Sequence, residues 1–258
     1  MIEKKFELLY EKLNRREYVH PDPLEFLYSY DDIRDREIVG LVSAGLAYGR
    51  VAQILKSVSS ILRNMGPRPS VFLENNSFET MKLSFNGFTH RFTTGEKMAA
   101  FLMGIKAVIR EFGSLEQCFN AGLNKGEHTV FSELSFFAEK IRKYSHICPG
   151  HLVPVPERMS ACKRFNLYFR WMIRHDAVDP GGWESCSPAK LIIPLDIHMY
   201  RLSLKLGFTN RRSADMKTAL EITRAFEKIS PQDPVRYDFS LTRLGIRDDL
   251  NPAFFLKM

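Results

Sequence analysis

The chain has 258 residues, of which 45% are hydrophobic and 26% are charged, a balance that excludes a disordered or fibrous protein. Four cysteines without a CxxC pair exclude a disulfide framework, and a chain of this length can bury a core without one. The net charge is +7, and the segment from Glu157 to Lys217 holds eleven Lys or Arg against six Asp or Glu. Clustered positive charge is typical of nucleic-acid binding, although a solvated basic face explains it about as well.

The N-terminal residues contain no apolar segment of the signal-peptide kind. No run approaches the roughly 18 apolar residues of a membrane span. We therefore expect a cytoplasmic protein that does not enter the membrane.

Helical periodicity dominates the first part of the chain. The predicted helices begin near Ile2, Asp22, Ile38, Val51, Thr93, Ser114 and His128. The helix from Ile38 is apolar on all sides and is expected to be buried. Thr93 and Glu96 form a capping box for a helix that ends at Gly113. Residues 68–92 show no clear pattern.

The second part continues in the same way after a connector over 146–156, whose three prolines and one glycine exclude a helix. Helices are predicted from Lys163, after Asp196, over 213–229 and from Asp233, the last with Gly245 as its stop. No stretch alternates with period two and there is no hairpin signal, so we predict an all-α fold of about ten helices. We expect one compact unit, 1–258, in which lobes 30–145 and 157–258 flank a cleft and 1–29 packs on either lobe.

Two residues in this second part suggest chemistry. Lys163 opens one predicted helix, where the macrodipole slightly favours the neutral amine. Asp196 immediately precedes another, where it can cap the helix and stay ionised. An amine that can act as a nucleophile and a fixed carboxylate make a plausible catalytic pair, but a solvated lysine and a simple cap are the commoner explanation of such residues.

The segment around these residues resembles the helix-hairpin-helix (HhH-GPD) superfamily of DNA glycosylases, which includes endonuclease III. The match is Leu195-Asp196-Ile197-His198, then Arg201, then Leu206-Gly207-Phe208. The gap of 33 residues from Lys163 to Asp196 is more similar to the archaeal 8-oxoguanine glycosylases. The whole chain also resembles a bacterial family of helical proteins of unknown function.

The superfamily resemblance implies a DNA glycosylase-like fold and a set of roles. Lys163 would be the nucleophile, and Asp196 would stabilise the oxocarbenium charge and shuttle protons. The segment 41–58 is similar to the superfamily's buried helix, turn and following helix, where a loop inserts into DNA, and this makes Tyr48 and Arg50 candidates for DNA binding. Phosphates would be bound at the hairpin and along the helix that follows Asp196. The basic residues of that helix share one face, and the alternative is that this face is merely solvated. The candidates for phosphate binding are Arg158, Ser160, Arg164, His198, Arg201 and Lys205.

Two tryptophans are the candidates for a base pocket. Trp171 belongs to the aromatic surroundings expected to desolvate the amine, and Trp183 lies in the break DPGGWESC, where it can stack on a flipped base. The alternative for Trp183 is a loop tryptophan packed on the core, which is about twice as common.

Two departures from the superfamily stand out. Pro156 to Ser160 contains no Gly-x-Gly for holding a phosphate, and no cysteine follows Cys186, so no iron–sulfur cluster is expected. His146, Cys148 and His151 lack a fourth ligand, so no metal is expected either.

The resemblance thus predicts a monomeric DNA N-glycosylase and abasic-site (AP) lyase that acts on a damaged base of duplex DNA without a cofactor. Two alternatives stay open. One is a nucleic-acid-binding protein of the same fold without the chemistry, and the other is a helical protein–protein interaction module.

Overall fold

A computed structural model describes residues 2–124, 126–158 and 160–246 of the chain. Within these residues the fold is all-α, as predicted. The α-helices are α1 Ile2–Leu13, α2 Ile33–Gly45, α3 Val51–Met65, α4 Pro69–Asn75, α5 Phe78–Ser84, α6 Gly95–Phe112, α7 Leu115–Ala121, α8 Phe131–Tyr144, α9 Lys163–Ile173, α10 Ile197–Lys205, α11 Met216–Glu227 and α12 Asp238–Ile246. Short 3₁₀ helices cover Arg16–Tyr18, Pro23–Ser29, Gly150–Leu152, Pro156–Arg158 and Pro188–Lys190. Two strands, β1 Thr89–His90 and β2 Thr93–Thr94, form a hairpin.

The chain divides into two compact units, one made of residues 21–158 and the other of residues 1–20 with 159–258. We call them the middle unit and the terminal unit. The terminal unit contains α1 and α9 to α12, so the start of the chain packs with its second half. Phe6 of α1 lies 5.8 Å from the ring of Phe226 and 5.3 Å from that of Tyr237. These aromatic contacts fix α1 against the core of the terminal unit.

In the middle unit, α6 is the central helix and packs against α5, α7 and α8. The two helices α6 and α8 approach closely at Gly104, where a Cβ atom would lie 2.5 Å from the carbonyl oxygen of Ile141. Only glycine fits this crossing. The buried helix α2 supplies acids to its neighbours: Asp35 accepts a hydrogen bond from the N–H of Ser70 at 2.7 Å, and Glu37 accepts one from that of Glu116 at 3.0 Å. Carboxylates at helix starts stabilise the free N–H groups there.

Several helix boundaries differ from the sequence-based prediction. Thr94, not Thr93, caps α6 by accepting a hydrogen bond from the N–H of Lys97, because the buried hydroxyl group of Thr93 faces that of Tyr48 instead. The segment after Asp22 is a 3₁₀ helix rather than an α-helix. The final helix begins at Asp238, five residues later than predicted, and continues through Gly245 to Ile246.

The stretch 68–92 also holds structure that the sequence did not reveal. Helices α4 and α5 are only seven residues each, too short for a periodic apolar pattern to emerge. The β1–β2 hairpin turns at Arg91 and Phe92 without the glycine or asparagine that usually marks such a turn. Contacts made elsewhere in the chain hold it, as described below.

Candidate functional site

Lys163 and Asp196 lie together in the terminal unit. Their side chains meet across 3.5 Å, from Nζ of Lys163 to Oδ2 of Asp196. The lysine side chain is 35% exposed and the aspartate 14%, so the pair is reachable from solvent. The other carboxylate oxygen of Asp196 accepts a hydrogen bond from the N–H of Met199 at 2.8 Å, and thereby caps α10. Because the cap fixes the carboxylate, only the lysine side chain has much freedom to move.

The turn before Lys163 has an unusual backbone. Cys162 adopts a left-handed conformation with φ of 48°, which disfavours every residue except glycine. Ser160 Oγ accepts a hydrogen bond from the N–H of Cys162, and Asn166 donates one from Nδ2 to the carbonyl of Ala161 at 3.0 Å. These bonds hold the turn, so α9 begins at Lys163 although the turn contains no glycine.

A buried ionic network lies along the inner side of α9. Arg170 contacts Asp179 and Asp238, and Arg174 contacts Asp176, Asp179 and Asp233. Two guanidinium groups thus face four carboxylates. Burial opposes the charge on Arg174, but the surrounding carboxylates outweigh it and raise the pKa of its guanidinium. Burial also raises the pKa of Asp179 and of Asp233.

Asp238 connects this network with the candidate pair. Its carboxyl group is 2% exposed, and burial raises its pKa to about 6. Arg170 opposes that rise and the negative charge of Asp196 adds to it. Oδ1 of Asp238 is buried and has no hydrogen-bond partner within the described residues. The pKa of the Asp238 carboxyl group therefore depends on the charge of Asp196.

Both candidate base-pocket tryptophans lie in the core of the terminal unit. Trp171 is 1% exposed and Trp183 is 2% exposed. Trp183 packs edge-on against Tyr168 with the ring centroids 5.3 Å apart. Neither indole ring is open to a flipped base in this arrangement. Stacking on Trp183 would need its loop to move, whereas Trp171 lies within α9.

The remaining candidates of the terminal unit lie at its surface. Arg201 and Lys205 are exposed on α10, and His198 is partly exposed one turn before Arg201. Arg164 is partly exposed on α9, while exposed Ser160 forms a backbone bridge to Asp215. These positions leave the basic side chains of α10 available to phosphates.

A family model matches residues 22–247. The chain belongs to the family described as protein of unknown function, DUF2400. This confirms the predicted membership of a family of unknown function, whereas the relation to DNA glycosylases stays a prediction. No curated protein and no solved structure matches this DUF2400 protein.

Three further DNA-binding candidates of the DUF2400 protein belong to the middle unit. Arg158 is exposed at the end of a 3₁₀ helix, next to position 159, which lies outside the described residues. Arg50 is exposed immediately before α3. The hydroxyl group of Tyr48 donates to the carbonyl of His90 at 3.0 Å and lies 2.7 Å from the hydroxyl oxygen of Thr93. Tyr48 is thus tied to the β1–β2 hairpin.

The two histidines of the 146–151 segment have different surroundings. His146 stacks on Phe78 at 5.0 Å, and His151 packs against Phe92 at 5.4 Å. Within the described ranges no three His, Cys, Asp or Glu side chains converge as a metal ion would require. Likewise, no helix in the described part of this DUF2400 chain is long and apolar enough to cross a membrane.

Sequence reasoning missed three residues near the candidate pair. Asp238 was assigned only to a helix. Asn166 lies one turn after Lys163, and its buried Oδ1 finds no partner among the described residues. Ile197 follows Asp196 and is 50% exposed, which gives the site an apolar edge. Arg170 lies in the apolar second half of α9 and Arg174 one turn later at its C-cap, and this spacing was the one available signal for the buried network.

Proposed function

We propose that this DUF2400 protein is a DNA glycosylase-like enzyme with Schiff-base lyase activity on a damaged, flipped base. The observation that carries the proposal is the 3.5 Å contact between Lys163 and Asp196. Thirty-three residues separate the two in sequence, each stands at the start of a helix, and the helix-hairpin-helix resemblance predicts this pair. A nucleophile beside a carboxylate that is itself held by another group is the usual form of an activated nucleophile.

The chemistry follows from these two groups. The neutral amine of Lys163 attacks C1′ of the damaged nucleotide, the bond from C1′ to the base breaks, and the base leaves with the electron pair and a proton. Asp196 stabilises positive charge on the sugar, accepts the proton that the attacking amine loses and passes it to the departing base. The remaining N–H proton then moves to the ring oxygen as the sugar ring opens, which gives the imine. Loss of a C2′ proton expels the 3′ phosphate, and water hydrolyses the imine to free the lysine.

The surroundings of the pair suit a DNA ligand. Arg201 and Lys205 are exposed on α10, whose first residue follows Asp196, and phosphate contacts from such a face hold DNA without reading its sequence. The apolar surface of Ile197 is available to a base beside the carboxylate. Removing a base from the stack costs a few kcal/mol, which such contacts must offset.

Base excision tests the proposal. End-labelled duplexes that carry an abasic site, 8-oxoguanine or uracil are incubated with the wild type, Lys163→Ala and Asp196→Asn, and strand cleavage is measured. We expect the wild type to cleave at least one duplex and each variant to lose about 100-fold or more of that rate.

Lys217→Ala is the matched control. Lys217 stands in the first turn of α11, as Lys163 does in α9, and Lys217→Ala should cleave like the wild type. Full cleavage by Lys163→Ala would contradict the assignment. DNA binding by every variant with cleavage by none would favour the alternative of a binding protein that has lost the chemistry.

A further inference from the structure

The β1–β2 hairpin of the middle unit presents an aromatic ring to solvent. Thr89 pairs with Thr94 and His90 with Thr93, which leaves Arg91 and Phe92 at the turn. Phe92 is 60% exposed. Arg91 has a φ of 52°, a conformation that costs a non-glycine residue roughly 1–2 kcal/mol. A strained turn that exposes a large apolar ring must be held in place by its surroundings.

Buried hydrogen bonds brace this turn against the loop before α3. His90 is fully buried, and its two ring nitrogens lie 2.9 Å from Oγ of Ser57 and 3.0 Å from the carbonyl oxygen of Tyr48. The rings of Tyr48 and His90 pack edge to face at 4.6 Å. Together with the bonds from Tyr48 to His90 and Thr93, this network fixes the position of the hairpin tip.

Positive charge surrounds the exposed ring. The guanidinium group of Arg91 lies beside Gly49, next to Arg50 in the chain, and its carbon is 5.7 Å from the centroid of the Phe92 ring. Nζ of Lys97 donates to the carbonyl oxygen of Phe92 at 2.9 Å. The nearby acid, Glu96, is bound to Lys82 at 2.7 Å. Arg91 and Lys97 therefore lie at the exposed ring, and Arg50 follows the glycine beside which Arg91 packs.

The loop before α3 adds to this charge. Helix α3 runs for 15 residues from Val51, and the side chain of its N-cap residue, Arg50, makes no capping hydrogen bond. The positive end of a helix attracts anions such as phosphate. Here that end directly follows Arg50 and the loop on which Arg91 packs.

We propose that the hairpin tip is a DNA-binding site, in which Phe92 stacks on an unpaired base while Arg50, Arg91 and Lys97 bind the flanking phosphates. A rigid aromatic side chain among cations fits the two parts of a nucleotide: the π-face of the base and the charge of the backbone. The inference shares with the proposed function the premise that DNA is the ligand, but it requires neither Lys163 nor excision.

Fluorescence of 2-aminopurine, placed as one unpaired base in a short duplex, reports the stacking directly. Bound wild type should quench the probe, because an aromatic ring replaces solvent on the face of the base. Phe92→Ala should lose this quenching and bind about tenfold more weakly. Leu83→Ala removes a side chain that is 74% exposed on α5 and serves as the control, with affinity and quenching unchanged.

Arg91→Gly tests the phosphate contact without harm to the fold, since glycine adopts the left-handed conformation readily. Its melting temperature should equal that of the wild type. Its affinity should fall by up to about eightfold at 0.1 M salt and by less at higher salt, because one cation contributes a slope of roughly 0.9 to the salt dependence. Arg63→Ala, which removes an exposed cation from the far end of α3, should bind like the wild type.

Equal affinity and equal quenching for the wild type and Phe92→Ala would overturn this inference. If excision depends on Lys163 while binding does not depend on Phe92, the inference fails and the proposed function stands. If binding depends on Phe92 while no duplex is cleaved, this inference stands and the proposed function fails. A wild type that binds no DNA would overturn both.

Discussion

One carboxylate oxygen of Asp196 has a structural role and the other belongs to the candidate catalytic pair. Oδ1 caps α10 and Oδ2 faces Lys163. Asparagine is as good a helix cap as aspartate, so Asp196→Asn should keep the cap while it removes the charge. The lost pair is partly exposed and contributes little stability. We expect the free energy of unfolding in urea to change by less than about 1 kcal/mol, while excision falls.

Asp32→Asn is the matched control for this substitution. Asp32 caps α2 of the middle unit through the N–H of Arg34 and pairs with Arg68, so the same change removes a cap charge in the unit that does not contain Lys163. Its excision rate should equal that of the wild type. If Asp196→Asn unfolds the protein by several kcal/mol, the carboxylate is primarily structural and the division of roles is wrong.

Asp238 should make stability depend on pH. Its folded pKa is raised from 3.8 to about 6, so the folded state binds this proton more tightly than the unfolded chain does. The resulting stability is fully present below about pH 4 and is lost as pH rises through about 6. Asp238→Asn lacks this titration. The unfolding free energy of Asp238→Asn minus that of the wild type should therefore increase by up to about 3 kcal/mol from about pH 4 to pH 7.

Urea denaturation of both proteins at a series of pH values measures this difference. A difference that is independent of pH would show that Asp238 has an ordinary pKa and that its carboxyl group does not hold a proton in the folded state near pH 5. No local pattern of residues indicates this behaviour, because the burial of Asp238 depends on α9 and on Arg170, which α9 carries.

At the scale of elements, the crossing of α6 and α8 depends on one missing side chain. Gly104→Ala would place a methyl group 2.5 Å from the backbone oxygen of Ile141, and backbone atoms cannot move aside cheaply. We expect a loss of about 1–3 kcal/mol in unfolding free energy. Gly45→Ala is the matched control, because the nearest atom to its Cβ would be a flexible leucine carbon at 3.4 Å. That variant should be neutral or slightly stabilised.

Sequence patterns predicted those elements that carry their own local signals. The stripe of α3, the serine cap of α7 and the aspartate cap of α10 are all present. The β1–β2 hairpin was missed because its turn lacks Asn-Gly and is held by Tyr48, which lies 42 residues before His90. Bonds over such a distance leave no trace in a local window of sequence.

At the scale of the whole molecule, the basic charge predicts salt-sensitive DNA binding. Affinity for a duplex should fall by roughly 500-fold between about 50 and 200 mM salt, because the five cations assigned to phosphates give a slope of about 4.5. The double variant Arg201→Ala, Lys205→Ala should reduce the slope of log affinity against log salt by about 2. Arg224→Ala, Lys228→Ala removes two exposed cations with the same one-turn spacing, at α11, and should leave the slope unchanged. Equal slopes for the two double variants would show that α10 does not contact phosphate.

The candidate pair itself could be predicted from sequence, but its surroundings could not. Lys163 and Asp196 stand at helix starts that the sequence signals locally, and the helix-hairpin-helix resemblance links them. In the sequence, Arg170 and Arg174 contribute to the positive charge of the segment from Glu157 to Lys217. In the structure, both are buried among carboxylates. Charge along a sequence does not distinguish a surface cation from one inside an ionic network.

Borohydride trapping tests the central claim most directly. Reduction converts an imine between Lys163 and an abasic sugar into a stable covalent adduct, which a denaturing gel resolves from free DNA. We predict an adduct with the wild type and with Lys217→Ala, and none with Lys163→Ala. An adduct that persists in Lys163→Ala, or a wild type that forms none on abasic, 8-oxoguanine and uracil duplexes, would contradict the assignment of Lys163 as a Schiff-base nucleophile.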